Sequence, residues 1–116
     1  SFKASLGEVS FHSKEMEIVQ DADRLDAIGA IGIARAFSFG GNKGREMYNP
    51  NVPVQEYKDK EAYKHSEAPT VNHFYEKLLL LKDKMNTQAA KRIAEHRHQY
   101  MLEFLDEFMA EWNGKK

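Results

Sequence analysis

Three aspartates stand within six residues in the stretch VQDADRLDAIGAIGIARAF, Val19 to Phe37, just before the chain turns to Ala, Ile and Gly. Asp23 and Asp26 are three residues apart, about 60° around an α-helix, so both carboxylates can face one cleft. Burying a carboxylate is costly unless a cation, a metal or several donors meet it. The pair therefore reads either as ion-pair partners of Arg24, Arg35 or helix N-termini, or as part of a metal or phosphate site. Asp21 falls on the other side of the helical stripe, near Ile28. A structural hydrogen bond or ion pair is expected there.

A second set lies downstream. His73 and Lys77 share a helix face, and a lysine beside a histidine can bind a phosphate as a point charge. Spacing alone favours a solvated lysine and a capping or interhelical histidine. Glu95 and His98 in AEHRHQY have the Glu-x-x-His spacing of carboxylate-bridged di-iron bundles. No second copy exists in the chain, so a solvated helix face is expected. The stripe Met101, Phe104, Leu105, Phe108 and Trp112 reads as core rather than as a ligand box. GGNKG lacks the strand and the Lys-Ser/Thr of a phosphate loop.

These residues need helices to hold them. Ser13 is placed to cap a helix beginning SKEMEIV, with Glu15 and Glu17 in a first turn that favours negative charge. Ile18, Ala22, Leu25, Gly29 and Gly32 continue at helical spacing, with Val19, Asp26 and Ile33 on one side of that stripe. The two glycines predict close packing or a break between two helices. Past Leu25 the segment is apolar nearly all round, which predicts burial on most faces. Thr70 is a candidate cap for a helix over VNHFYEKLLLLKDKM, whose Phe74, Leu78, Leu81 and Met85 share a face. Thr87 caps a last helix with Ala90, Ile93, Arg97, Met101 and Leu105 on one side, ending at Asn113-Gly114.

Residues 40–69 differ in kind. They open on GGNKG, contain Pro50, Pro53 and Pro69, and show no sustained periodicity. A segment of that length is expected to be an excursion and a lid, with a short helix around Gln55–Tyr63 and with Tyr48, Tyr57 and Tyr63 as anchors. No segment alternates like a strand, so the expected class is all-α.

Composition sets outer bounds. At 116 residues a single domain, 1–116, is expected. The net charge of −1 and the dispersed Lys and Arg argue against a nucleic-acid partner. With no cysteine there is no disulfide, thiolate nucleophile or Cys-based zinc site. The longest apolar runs, Ala27–Ala34 and Leu78–Leu81, fall short of a bilayer span, so no membrane partner and a cytoplasmic location are expected.

The stretch VQDADRLDAIGAIGIARAF resembles the HD-domain phosphohydrolases, in particular small bacterial HD hydrolases. The likeness extends to FSFGG (Phe37–Gly41), NHFYEKLLLLKDKMNT (Asn72–Thr87) and AKRIAEHRHQYMLEFLDEF (Ala90–Phe108), so it covers most of the chain. It implies a helical bundle around a divalent metal (Mn, Mg, Co, Ni or Fe) held by a His, a His-Asp pair and a final Asp. The final Asp of that family stands in an A-D-x-L context like Ala22-Asp23-Arg24-Leu25, which implies that Asp23 is a metal ligand. Asp26 would then orient a water or a ligand and act as a general base. His73 and Lys77 would contact phosphate, and Arg24 and Arg35 would contact substrate or form ion pairs.

The chain also departs from that pattern. None of its five histidines is followed by Asp, and His12 lacks the adjacent acid. The resemblance thus implies the C-terminal part of an HD-type hydrolase, whose upstream helices carry the other ligands. One carboxylate does not hold a catalytic ion, so these residues alone are expected to bind no metal tightly and to be inactive. The implied substrate is a nucleotide or another small phosphate ester. The implied partner is the set of missing N-terminal helices or a second copy of the chain, covering apolar surface. The alternative is a non-catalytic helical module for binding or assembly.

Overall fold

The computed structural model describes residues 13–55 and 67–116, and all regular structure among them is helical. Helix α1 spans Lys14–Asp26, α2 Gly29–Asn42, α3 Thr70–Glu76 and α4 Gln88–Trp112. A 3-10 helix, Leu78–Lys84, joins α3 to α4. Ser13 caps α1 as expected, its Oγ accepting from the Met16 N–H at 3.0 Å. The glycine pair marks a break between two helices. The Ala27 and Ile28 N–H groups turn back onto the Arg24 and Leu25 carbonyls, at 3.1 and 3.3 Å. The chain then re-enters a helix at Gly29, whose φ of +76° favours a residue without Cβ. Arg97 of α4 seals this junction. Its Nη1 donates to the Leu25 carbonyl at 2.8 Å, and its stem would lie only 2.9 Å from a Cβ at Gly29.

The break resets the helical phase, and two sequence expectations fail with it. Ile18 and Val19, predicted on the buried stripe of α1, are each 59% exposed. The fully buried residue of α1 is Asp21. Nor is α2 buried on most faces. Gly29, Gly32, Ile33 and Gly40 are buried, whereas Ile31 is 63% exposed and Arg35 lies at the surface.

Thr70 does not cap α3. It is the helix's first residue and is buried. Its N–H and that of Val71 donate to the Glu46 and Met47 carbonyls, both at 2.9 Å, so the preceding loop does the capping. The Thr70 hydroxyl lies so close to Gly40 that any Cβ there would collide with it. α2 and α3 therefore touch backbone to side chain at Gly40. The continuous helix expected to Met85 also divides, because Lys77 (φ −140°, ψ −54°) leaves the α region. Beyond it the winding tightens to three residues per turn, which sets Leu78 and Leu81 one above the other. The expected face survives, since Phe74, Leu78, Leu81 and Met85 are all buried.

The last helix begins on the Thr87 cap, which accepts from the Ala90 N–H at 3.2 Å, and stops at Asn113 and Gly114 (φ +73°) as expected. Its buried row is Ala90, Ala94, Met101 and Leu105. Ile93, predicted on that row, is 43% exposed. Phe104 and Phe108 pack partly buried against the core, and Trp112, the last residue of the helix, is 47% exposed. Phe37 of α2 meets Phe74, Phe104 and Phe108 at centroid separations of 5.9, 5.9 and 6.1 Å. This aromatic cluster is the adhesive between α2, α3 and α4.

Within 40–69 the described residues lie close on the helical body. The irregular part begins at Lys43, after α2 ends. Tyr48 anchors it, its ring 5.2 Å from Trp112 and 6.3 Å from Phe108. Buried Asn72 ties it down a second time, its Nδ2 donating to the Val52 and Pro53 carbonyls at 3.1 and 3.3 Å. Of the predicted helix around Gln55–Tyr63 only Gln55 is described, in no regular structure and with its N–H donating to Glu76 Oε2 at 3.2 Å. The rest of it, with the anchors Tyr57 and Tyr63, lies outside the described residues, as does His12. No helix among the described residues is long and apolar enough to cross a membrane.

Candidate functional site

The aspartates of α1 part company in space. Asp21, 3% exposed, accepts from the Asn86 N–H (2.7 Å), the Thr87 N–H (3.0 Å) and the Thr87 hydroxyl (2.8 Å). Burial alone would raise its carboxyl pKa. The three hydrogen bonds, with the Arg24 charge nearby, outweigh that and hold it below the ordinary carboxylate value. Asp21 is thus the structural acid that its position predicted, fixing the start of α4 against α1.

Asp23 and Asp26 are both exposed and both line a cleft of about 420 Å³ between α2 and α3. The α2 wall presents Gly32, Arg35, Ala36 and Phe39. That spacing, i, i+3, i+4, i+7, is one helical stripe. The α3 wall presents Thr70 and His73, with Lys77 just past its end, and Arg45 and Pro69 close the rim from the irregular segment. The short contact between Gly40 and Thr70 holds these two walls together.

His73 is half-buried, and its surroundings decide its charge. Desolvation first, then the Lys77 and Arg45 cations, push its pKa down to about 4. At neutral pH it is an uncharged imidazole, able to donate one hydrogen bond and accept one. The cleft therefore offers cations at Arg35, Arg45 and Lys77, carboxylates at Asp23, Asp26 and Glu76, and a neutral hydrogen-bonding ring.

Five of the six predicted site residues, Asp23, Asp26, Arg35, His73 and Lys77, meet in this cleft. Arg24 does not line it. Its Nη1 donates to the Lys84 carbonyl at 2.7 Å, clamping α1 to the end of the 3-10 helix. Glu95 pairs with Lys82 at 3.5 Å, and His98 Nδ1 is buried with no hydrogen-bond partner among the described residues. Among the described residues no three His, Cys, Asp or Glu side chains converge as a metal-holding group. Asp23 and Asp26 are suitable oxygen donors, but the donors described here do not amount to a coordination shell. Sequence reasoning missed Phe39 and Arg45. Phe39 was legible as the residue seven beyond Gly32, whereas Arg45 sits in an aperiodic loop that gives no signal.

The chain matches no protein-family model. It is 50% identical over 93 residues to YpgQ of Bacillus subtilis, itself uncharacterized, a match covering 80% of this chain and 38% of that protein. A crystal structure of an HD-superfamily hydrolase from Bacillus thuringiensis is 57% identical and superposes with a TM-score of 0.72, over 87% of this chain and 47% of that one. The fold is HD-domain-like. The structure of Bacillus subtilis YpgQ in complex with ADP is 43% identical with a TM-score of 0.68, over 85% of this chain and 44% of that one. The chain thus spans less than half of the length of these relatives.

Proposed function

We propose that this chain forms one wall of an HD-type, metal-dependent phosphohydrolase site that acts on nucleotides or related phosphate esters. The observation that carries the reading is a cleft lined together by Asp23, Asp26 and Glu76 and by Arg35, Arg45 and Lys77. Support comes from the likeness to an HD-superfamily hydrolase and to a protein crystallised with ADP. Lys77, Arg35 and Arg45 bind the phosphate oxygens and compensate their charge. His73, neutral, hydrogen-bonds to them without adding charge. Asp23 supplies one metal ligand, the remaining ligands coming from outside these 116 residues. A divalent ion bound there would neutralise charge on the phosphate and lower the pKa of a water. Asp26, three residues on, orients that region by accepting hydrogen bonds.

The exposed Ile18, Val19 and Ile31 give such additional helices, or a second copy of the chain, an apolar surface to cover. The irregular segment contributes Arg45 and Pro69 to the rim, which gives it a part in choosing substrates.

The test is an assay of the intact protein against a nucleotide panel with Mn²⁺, Mg²⁺, Co²⁺ and Ni²⁺. Metal-dependent release of phosphate or pyrophosphate from at least one nucleotide is expected. No turnover with any metal, in a protein that still binds nucleotide, would leave the chain as a binding module.

A further inference from the structure

The cleft has two chemically different ends. The stripe from Gly32 to Phe39 runs about 10 Å along α2, at 1.5 Å per residue. One end lies at the α1–α2 junction, beside Asp26 and Ala27. The other ends on Phe39, and there the chain does something uncommon with an aromatic ring. Phe37, two residues earlier, is packed among Phe74, Phe104 and Phe108. Phe39 is left 53% exposed at the cleft wall. Two cations hover over its ring, with Arg45 Cζ at 5.3 Å and Lys43 Nζ at 5.7 Å from the centroid.

An exposed phenylalanine alone means little. One that closes a ligand-sized cleft, in line with Arg35, beneath a guanidinium and an ammonium, is different. A flat π-face set against cations is what a nucleobase and its neighbouring phosphates require. We propose that Phe39 is the stacking platform for the base of a nucleoside di- or triphosphate. Arg45 and Lys43, which lie over the ring in this structure, give way to the base as it stacks, and the phosphates extend along Arg35 toward Asp23 and Asp26. This rests on the phosphohydrolase reading and adds a direction to it, base at the Phe39 end and reacting phosphate at the aspartate end. Stacking reads a π-face and not a hydrogen-bond pattern, so the site distinguishes the presence of a base more than its identity.

The experiment measures binding of ADP and of inorganic pyrophosphate to the intact protein by calorimetry, for wild type, F39A and F39W. F39A is expected to weaken ADP by about tenfold, the usual worth of one base stack, and pyrophosphate by less than about twofold. F39W should restore ADP. Because Phe39 is exposed, the melting temperature of F39A should match wild type. Unchanged ADP affinity in F39A, equal losses for both ligands, or no recovery in F39W overturns the platform while leaving the hydrolase reading intact. Wild type that binds neither ligand sinks both.

Discussion

Asp21 and Asp23 are two residues apart on one helix, and the fold treats them in opposite ways. Asp21 is sealed in and satisfied by three donors from Asn86 and Thr87. Asp23 is exposed, at the edge of a cleft lined by cations. The helical period explains the divergence, since two residues turn a side chain by about 200°. A buried carboxylate that accepts three hydrogen bonds is a bolt, because replacing its partners with a ligand would strand the donors. A carboxylate at an open cleft keeps its oxygens for something that arrives. On α1, then, burial separates the acid that holds the fold from the acids that line the cleft.

The largest expected effect tests the open member. In the intact protein, the proposed metal role of Asp23 requires Asp23→Ala to lower kcat/KM by at least about 10³-fold, roughly 4 kcal/mol of barrier. Its melting temperature should stay near wild type, since the side chain is exposed. A tenfold change or less in steady-state kinetics would remove Asp23 from the metal. Asp21→Ala should do the reverse. Stranding the Asn86 and Thr87 donors in a buried site should cost about 3 kcal/mol of folding free energy, read by urea denaturation. Wild-type stability in that variant would mean that the contact between α1 and the start of α4 is not held by this carboxylate.

How far the sequence disclosed this arrangement depended on how local each determinant was. The caps at Ser13 and Thr87 and the stop at Gly114 are local chemistry, and all three stand where they were read. The break inside the apolar run was legible as an option from Gly29 and Gly32, but its phase was not. That phase depends on Arg97, which lies far along the chain and plugs the junction. Thr70 illustrates the same limit. A threonine before an apolar helical row reads as a cap, yet Gly40 approaches so closely that its hydroxyl is drawn into the contact between α2 and α3. The loop carbonyls of Glu46 and Met47 then take over the capping. At the cleft, spacing paired Asp23 with Asp26, but it favoured a solvated Lys77 and a capping or interhelical His73, and only the resemblance drew those two to the site. Arg45 could not be found either way, because its place depends on how a loop without periodicity folds back over α3.

The smallest effect concerns what the cations of the cleft do to their neighbour. Burial, reinforced by Lys77 and Arg45, lowers the His73 pKa from 6.5 to about 4. Between those two values the unfolded chain binds a proton that the folded chain does not, so stability must fall as pH drops from 6.5 toward 4. At pH 5 the full linkage would be about 2 kcal/mol. Screening at a half-buried ring reduces this to about 1 kcal/mol. Asp21 does not confuse the measurement. Its lowered carboxyl releases its contribution only as the pH falls through and below the ordinary carboxylate value of 3.8. Denaturation curves at pH 7 and pH 5 should therefore show wild type losing about 1 kcal/mol more than His73→Gln, which has no proton to gain. Equal losses in both proteins would show that the imidazole titrates normally, and so that Lys77 and Arg45 do not press on it. The same result would weaken the case that these cations converge on one phosphate, because cations close enough to share a phosphate beside His73 must also repel the protonated form of that ring.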